Sequence, residues 1–292
     1  MKHISLILGL VCLVQFALSV LVGSAPMGLG ETLGALFGQG TEASRIIVWE
    51  IRLPRAVAAF GVGAALGLSG AGLQGLLQNP LAGPGVLGVS AFASLGAVIA
   101  IYFGLAAAGS FAVPLAAILF SGLAVALLLF AAGRGASTVT LLLVGIGLSS
   151  LAGALTSPNP YSLSDLINWM LGSVANRSWA DVGMVAPAWA LGAVAVMMAG
   201  PSLRALSLGE ETAASLGVNP ARARLLIIIG TSLLAGASVA VAGTIGFVGM
   251  VAPHIVRPLV KHDPQRVLLP SALAAGAMLL GADMLVRVLP FS

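Results

Sequence analysis

Charged residues are scarce in this chain. Only 13 of its 292 residues are Lys or Arg and 9 are Asp or Glu, which makes 8% charged residues, against roughly 25% in an average soluble domain. This composition excludes an ordinary water-soluble fold. Apolar residues reach 59% and form long, unbroken runs, whereas a membrane β-barrel alternates apolar and polar residues in short segments. The sequence therefore predicts an all-α, polytopic membrane helical bundle.

Motifs that carry chemistry are also lacking. Cys12 is the single cysteine, so no internal disulfide can form, and the three histidines, His3, His254 and His262, are scattered along the chain without the spacing of a metal site. No G-x-x-x-x-G-K-[ST] sequence occurs, so this chain lacks the phosphate-binding loop that holds ATP in many ATPases. We expect no catalytic residue, no metal site, no bound cofactor and no nucleic-acid partner.

The gaps between charges predict the number of membrane crossings. A charge at the bilayer centre costs roughly 2.5–3.5 kcal/mol, and one helical crossing needs about 20 apolar residues. The longest uncharged gap, 56–133, has room for three crossings, while the gap 225–256 exceeds one crossing and falls short of two. We predict nine spans in a single membrane domain, residues 1–292, if 243–246 forms a turn before a short eighth span. The approximate spans are 4–22, 56–76, 86–105, 111–132, 135–164, 182–203, two within 225–260, and 267–282.

The basic residues favour a cytoplasmic N-terminus. This orientation puts eight of the 13 basic residues on the inner side, as the positive-inside rule requires. The apolar run Ile4–Val22 is longer than the core of a cleavable signal peptide, so we expect it to remain as the first span. Arg52, Arg55 and Arg287 then fall outside, and Glu210 falls inside.

A polar element, about residues 202–224, separates the sixth and seventh spans. Ser207 and Glu210 have the spacing of a capping box, Gly217 suits a left-handed helix end, and Asn219-Pro220 suits the start of a new helix. The sequence predicts two short helices on the inner face. Such an element fits a docking partner, and a capped surface loop with no partner explains the same composition.

Two further patterns concern single spans. Gly63, Gly67, Ala71 and Gly75 form a ridge of small residues that lets another helix approach closely. Asp283 and Arg287 are spaced for an ion pair on one helix face.

Several motifs together resemble the FecCD family, the permeases of ABC importers for iron chelates, haem and cobalamin. They follow the family's order across nearly the whole chain: Arg52-Leu-Pro-Arg55, Gly67-Leu-Ser-Gly-Ala-Gly-Leu-Gln74, Asn79-Pro-Leu-Ala82, Leu87-Gly-Val-Ser90, Leu208-Gly-Glu210, Leu216-Gly217, Gly246-Phe-Val-Gly249, Pro253-His-Ile255, Arg257, and Ala282-Asp283 with Arg287.

The resemblance implies a homodimeric permease in the bacterial inner membrane, with the translocation path at the dimer axis. It implies two cytoplasmic ATPase subunits that hold ATP-Mg, and a periplasmic binding protein that delivers an iron chelate (siderophore) or, alternatively, haem or cobalamin. Arg52, Arg55 and Arg287 match docking residues for the binding protein, and Ser137 and Thr138 match the inner gate. The ATPase-coupling positions implied by the resemblance are Leu208, Gly209, Glu210, Glu211, Leu216 and Gly217.

Family members continue with a tenth helix, whereas this sequence stops at Ser292. We expect that helix to be absent from this sequence, either because the protein has lost it or because the sequence is truncated. Two alternatives belong to other functional classes. Gly67-Leu-Ser69-Gly70 matches the G-x-S-G of rhomboid-type intramembrane serine proteases, which also need a histidine. The missing phosphate-binding loop would also fit a secondary transporter that works without ATP.

Overall fold

The computed structural model describes residues 2–23, 27–105, 111–132, 138–156 and 171–289. All regular structure in these ranges is helical. A π-helical turn, Ile47–Arg52, joins the third helix to the fourth without a break. The helices are α1 (Lys2–Leu21), α2 (Leu29–Leu36), α3 (Glu42–Ile46), α4 (Leu53–Leu77), α5 (Val89–Tyr102), α6 (Ala112–Ala132), α7 (Thr138–Thr156), α8 (Trp179–Leu206), α9 (Glu210–Ser215), α10 (Pro220–Ala242), α11 (Val248–Leu259) and α12 (Pro264–Val288).

Each predicted span corresponds to a helix in the described ranges. Five apolar stretches are long enough to cross a membrane unaided, namely α1, α3 together with α4, α8, α10 and α12, and α5, α6 and α7 contain shorter apolar stretches. The fifth predicted span, 135–164, is described only over α7. The ends of that prediction lie outside the described residues.

The eighth span is only partly helical. With 12 residues, α11 is about 18 Å long, well short of a hydrocarbon core of about 30 Å. The chain reaches α11 through 243–247, which form no helix. Gly249, at the start of α11, packs on the backbone of Leu66, about halfway along α4. The charge gap 225–256 is longer than one crossing and shorter than two because the eighth span is non-helical backbone in one half and helix in the other.

Among the five long apolar spans in the described residues, the one that contains α4 is the most buried, and α4 packs on α12, α10, α11 and α8. Its small residues allow the close approach that the sequence predicted. A Cβ atom at Gly63 would lie 2.5 Å from the carbonyl oxygen of Ala275 in α12, and one at Gly70 would overlap the carbonyl of Gly249 in α11. In lipid there is no hydrophobic driving force between helices, so close packing of this kind contributes to their association together with hydrogen bonds between them.

The bundle has two chemically different ends. At the Arg55 end, the last turn of α1, the first turn of α4 and the last turn of α12 meet. At the Glu210 end, the last turn of α8 meets the first turn of α12, and α9 packs beside α8 and α10. The two ends are separated by the 25 residues of α12, about 37 Å of helix. Arg287 and Glu210 therefore lie at opposite ends of the bundle, as the prediction that they face opposite compartments requires.

Candidate functional site

One carboxylate organises the Arg55 end. Asp283 accepts hydrogen bonds from Nε (2.9 Å) and Nη2 (2.7 Å) of Arg55, and it also pairs with Arg287 at 3.0 Å. The predicted pair within α12 is thus confirmed, but the contact across to α4 was not predicted. The side chain of Asp283 is only 4% exposed and that of Arg55 is 19% exposed. Charged groups inside apolar spans need charged or polar partners. The charge of Arg55 was therefore the feature of the sequence that could have predicted its pairing with Asp283.

Arg52 and Arg287 hold the end of α1. Arg52 Nη1 donates to the carbonyls of Val20 (3.0 Å) and Leu21 (2.9 Å). Arg287 Nη1 donates to the carbonyls of Ser19 (2.9 Å) and Val22 (2.8 Å). The last carbonyls of a helix lack partners within the helix and carry partial negative charge, so two arginines from other segments cap α1.

This cap decides which docking candidate is accessible. Arg52 is 3% exposed and the side chain of Arg287 is 5% exposed, so both lie beneath the surface. Gly23 follows α1, and a Cβ there would lie 2.6 Å from Nε of Arg52. Arg55 is the most accessible of the three predicted docking arginines, and α1 is integrated in the bundle.

The π-helical turn has a local cause. Pro54 is the second residue of α4, directly after the π-helical turn. A proline within a helix clashes with the carbonyl four residues earlier, which here belongs to Glu50. An extra residue in the turn relieves such a clash, and the chain winds as a π-helix from Ile47 to Arg52. Arg52 is the last residue of this turn, and its side chain contacts the end of α1.

The Glu210 end carries a protruding element around α9. Leu208 and Leu216, on either side of α9, are 62% and 63% exposed, and both Glu210 and Glu211 are exposed. Ala213 anchors the opposite face of α9 against Leu206 and Ala223. An exposed pair of leucines around two carboxylates is unfavourable in water and in lipid, and it fits a protein partner.

The start of α9 differs from the prediction. The expected capping box of Ser207 and Glu210 is wrong, because Gly209 is the N-cap, with φ at +98°, and no side chain caps the helix. Ser207 Oγ instead donates to the Arg204 carbonyl of α8 at 2.7 Å, and Glu210 pairs with Arg224. The other two local predictions are confirmed. Gly217 has φ at +79°, and Asn219 caps α10 with Pro220 in its first turn.

A polar network lies inside the Glu210 end. The Gln74 amide is 1% exposed; it accepts from Arg257 Nη2 at 2.6 Å and donates to the Met250 carbonyl at 3.1 Å. Gln78 donates to the Leu206 carbonyl at 2.6 Å. A cavity of about 200 Å³ lies beside this network, with Ser207 in its wall. Because Arg257 carries a charge within an apolar span, the sequence predicts that it has a polar partner, but it does not identify that partner as Gln74.

Asp263 fixes the start of α12 at the same end. It accepts from Arg204 Nη2 at 2.6 Å and from the backbone N–H groups of Gln265 and Arg266. Burial raises the pKa of the Asp263 carboxyl, but the bonds from Arg204 and Arg266 and the charges of both arginines outweigh burial and leave this pKa below its ordinary value.

The non-helical half of the eighth span lines two cavities. One, of about 220 Å³, has walls of hydroxyl side chains from α5 and α7. The other, of about 280 Å³, lies between 83–86 and the start of α11. Ile245 and Gly246 border both. Of the two predicted gate residues, Thr138 begins α7 and Ser137 lies outside the described residues.

The geometry gives no support for a protease site. Ser69 is fully buried, and its Oγ has no hydrogen-bond partner among the residues that the structure describes. His254 is exposed on α11. A serine nucleophile needs a base in hydrogen-bond contact and access for a substrate, and Ser69 has neither in the described part of the chain. Within the same ranges, no three potential metal ligands lie together.

Comparisons with known proteins agree with this architecture. The uncharacterized ABC transporter permease protein YvrB of Bacillus subtilis (strain 168) is 39% identical over 271 residues, covering 89% of this chain and 76% of YvrB. The vitamin B12 import system permease protein BtuC of Klebsiella pneumoniae is 37% identical over 287 residues, covering 96% of this chain and 84% of BtuC.

A solved structure has the same fold. It is described as a metal-chelate type ABC transporter in an inward-facing conformation, and it superposes with a TM-score of 0.84 at 29% identity, covering 100% of this chain and 92% of the other. The profile of the FecCD transport family matches residues 11–292. This chain therefore belongs to the FecCD transport family.

Proposed function

We propose that this permease carries a large metal chelate, in the first place an iron chelate of the siderophore type. Two relatives support this substrate class, since one is named a vitamin B12 import permease and another is described as a metal-chelate type transporter. Cobalamin, itself a cobalt chelate, is the second candidate because BtuC proteins are 37–39% identical to this chain. Haem stays a third possibility within the same class.

The observation that carries the proposal is the separation of two partner-like surfaces by the full height of the bundle. The exposed leucines and glutamates around α9 lie at one end, and the arginine cluster lies at the other. Between them, the broken eighth span lines cavities. A permease driven by a cytoplasmic ATPase and loaded from the other side needs such an arrangement.

At the Glu210 end, the proposed partner is an ABC ATPase that holds ATP-Mg and grips the element 208–217. Leu208 and Leu216 supply exposed apolar contacts, Glu210 and Glu211 supply charge, and Gly209 and Gly217 set the bends on either side of α9. This assignment makes the Glu210 end and the N-terminus cytoplasmic, in a bacterial inner membrane.

At the Arg55 end, the proposed partner is a periplasmic binding protein with acidic docking residues. Arg55 is the accessible contact, while Arg52 and Arg287 add positive potential from beneath the surface. Complementary charge of this kind governs association rate and orientation more than area does. Arg55→Gln should lower the affinity for the binding protein and flatten its salt dependence, whereas Arg55→Lys should keep the salt dependence. Unchanged affinity in Arg55→Gln would remove this surface from docking.

The permease is proposed to work as a homodimer, with Ser137 and Thr138 near the inner gate at the start of α7. The side chains of many α7 residues are exposed in the single chain, which fits a second copy beside it. Chemical cross-linking in native membranes followed by mass measurement tests this point. A purely monomeric complex would contradict it.

The substrate proposal is tested by reconstituting the permease with its ATPase and binding protein in vesicles. ATP-dependent uptake of an iron–siderophore complex, with little uptake of cobalamin, is the expected result. Uptake of cobalamin alone would favour the second candidate. Uptake without any ATPase would support a secondary transporter and overturn the proposal.

The role of Glu210 is tested by charge reversal and by exchange with its partner. Glu210→Arg should abolish the stimulation of ATP hydrolysis by loaded binding protein. The double change Glu210→Arg with Arg224→Glu restores the internal ion pair but keeps the reversed charge on α9, so coupling should stay lost. Recovery of coupling in the double variant would show that Glu210 only maintains the local fold.

A further inference from the structure

We propose that Gln74 and Gln78 of α4 are positioning residues that transmit movement of α9 to the broken eighth span. This inference rests on the proposed function, in which an ATPase moves α9. It concerns a different step, namely how that movement reaches the backbone that borders the cavities.

The packing of the helices leaves few routes for such a movement. The helix α9 packs on α8 and α10, whereas α11 packs on α4 and α12. Between the α8–α9 turn and α11 lies the cavity of about 200 Å³, with Ser207 in its wall on one side and Arg257 and His262 on the other. In the described residues, α9 and α11 have no extensive contact with each other. The packing routes to α11 pass through α4 or α12, the two helices on which it packs, while α10 leads into the non-helical segment along the chain.

Gln78 is the first part of the α4 route. It ends α4 in the left-handed conformation, with φ at +49°, which is uncommon for a residue other than glycine. This conformation presents its amide to α8, where Nε2 donates to the carbonyl of Leu206 at 2.6 Å. Leu206 is the last residue of α8, so Gln78 holds the peptide that leads directly into α9.

Gln74 is the second part, one helical turn earlier on α4. Its oxygen accepts from Arg257 at 2.6 Å and its NH₂ group donates to the carbonyl of Met250 at 3.1 Å. One buried amide therefore holds both ends of α11. An amide is suited to this because it offers an acceptor and a donor together. A carboxylate in its place would keep the bond to Arg257 and lose the bond to Met250.

Met250 is the link to the cavities. It lies three residues after Phe247, the end of the non-helical segment 243–247, and it lines the cavity of about 280 Å³ together with Ile245 and Gly246. A displacement of α4 relative to α8 at Gln78 is thus carried by Gln74 to Met250, in the first turn of α11 and three residues after the non-helical segment.

The α12 route is the alternative and provides a matched control. It consists of the ion pair between Arg204 of α8 and Asp263, which caps α12 beside α11. The Arg204 side chain is 47% exposed, and exposed ion pairs are weak and screened by salt. The Gln74 amide is 1% exposed, so its hydrogen bonds are screened less than the Arg204–Asp263 pair. We infer that the α4 route dominates.

The test uses the full complex with ATPase and binding protein, and it measures substrate transported per ATP hydrolysed. Gln78→Leu should lower this ratio about tenfold, within the range of typical coupling free energies, and Gln74→Glu should lower it comparably. Because the two residues act in series, the double variant should lose little more than either single variant. Arg204→Gln, the control, should keep the wild-type ratio.

A distance measurement separates failure of this inference from failure of the proposed function. Spin labels at Phe247 and Leu81, both exposed, report on the non-helical segment, and a label at Leu208 reports on α9, in a Cys12→Ser background. In the wild type both regions should move between ATP-bound and ATP-free states. In Gln78→Leu, α9 should still move and the Phe247–Leu81 distance should stay fixed. Movement of both regions in Gln78→Leu, or loss of coupling in Arg204→Gln alone, would overturn the inference, whereas an immobile α9 in the wild type would overturn the proposed function.

Discussion

At the scale of single residues, the polar groups inside this apolar bundle are placed where helices must be held together. Asp283 is shared by arginines of α4 and α12, and Gln74 joins α4 to both ends of α11. Such groups are costly in a bilayer unless they are paired. Each of them therefore marks a contact between two helices, and its substitution should weaken the packing of both.

The glycines of α4 give the sharpest residue-scale prediction. At Gly70, a methyl group would overlap the backbone carbonyl of Gly249, whereas nothing lies within 4 Å of a Cβ at Gly147 in α7. Gly70→Ala should therefore lower the free energy of unfolding by about 3 kcal/mol, seen as a lower Tm in detergent. Gly147→Ala should leave Tm unchanged or slightly raised, since alanine favours the helix. Equal effects of the two substitutions would contradict the close packing of α4 on α11.

Asp263 gives a prediction on pH. Its pKa is lower in the folded protein than in the unfolded chain because of Arg204 and Arg266, although burial opposes this. Its contribution to stability is therefore fully present above the unfolded pKa of about 3.9, and it is lost as pH falls through the lower folded pKa. In melting experiments, acidification should lower the Tm of the wild type more than that of Asp263→Asn. Parallel curves for the two proteins would contradict the ion pair.

At the scale of elements, the first helix shows what the sequence could and could not reveal. The length of the run Ile4–Val22 predicts a span, but no pattern in it predicts that Arg52 and Arg287 cap its last turn. The cap depends on two arginines far apart in sequence, which only the folded bundle brings together. The same holds for the element around α9. The roles of Gly217 and Asn219 were predictable from the residues next to them, whereas the N-cap is Gly209 and not the expected Ser207.

The cap makes a prediction for α1 as an element. Arg287→Gln removes the hydrogen bonds to the carbonyls of Ser19 and Val22, at a cost of about 1–3 kcal/mol for unpaired buried groups. Hydrogen exchange should become faster in the last turn of α1, while exchange in α10 should stay unchanged. Arg45→Gln, which alters an exposed arginine of α3, serves as the control and should leave α1 protected. Equal protection in Arg287→Gln would show that α1 is held by its apolar contacts alone.

At the scale of the whole molecule, the charge gaps indicate the number and order of the spans because a charge near the bilayer centre is costly. The span of α4 was located to within three residues at each end, and the start of α10 and the end of α12 to within about six. The sequence showed the broken eighth span only as a charge gap of unusual length, since the contact of Gly249 in α11 with Leu66 in α4 exists only in the folded bundle. The charges at the proposed partner surfaces are visible in the sequence, but the burial of Arg52 and Arg287 is not.

The central claim is that the two partner surfaces face opposite compartments. Leu208, beside α9, is 62% exposed, and Leu289, after α12, is 46% exposed, so single cysteines at these positions are accessible to a membrane-impermeant maleimide in a Cys12→Ser background. In intact cells whose outer membrane admits the reagent, Leu289→Cys should be labelled at once, and Leu208→Cys only after the inner membrane is permeabilised. Labelling of both positions from the same side would contradict the account.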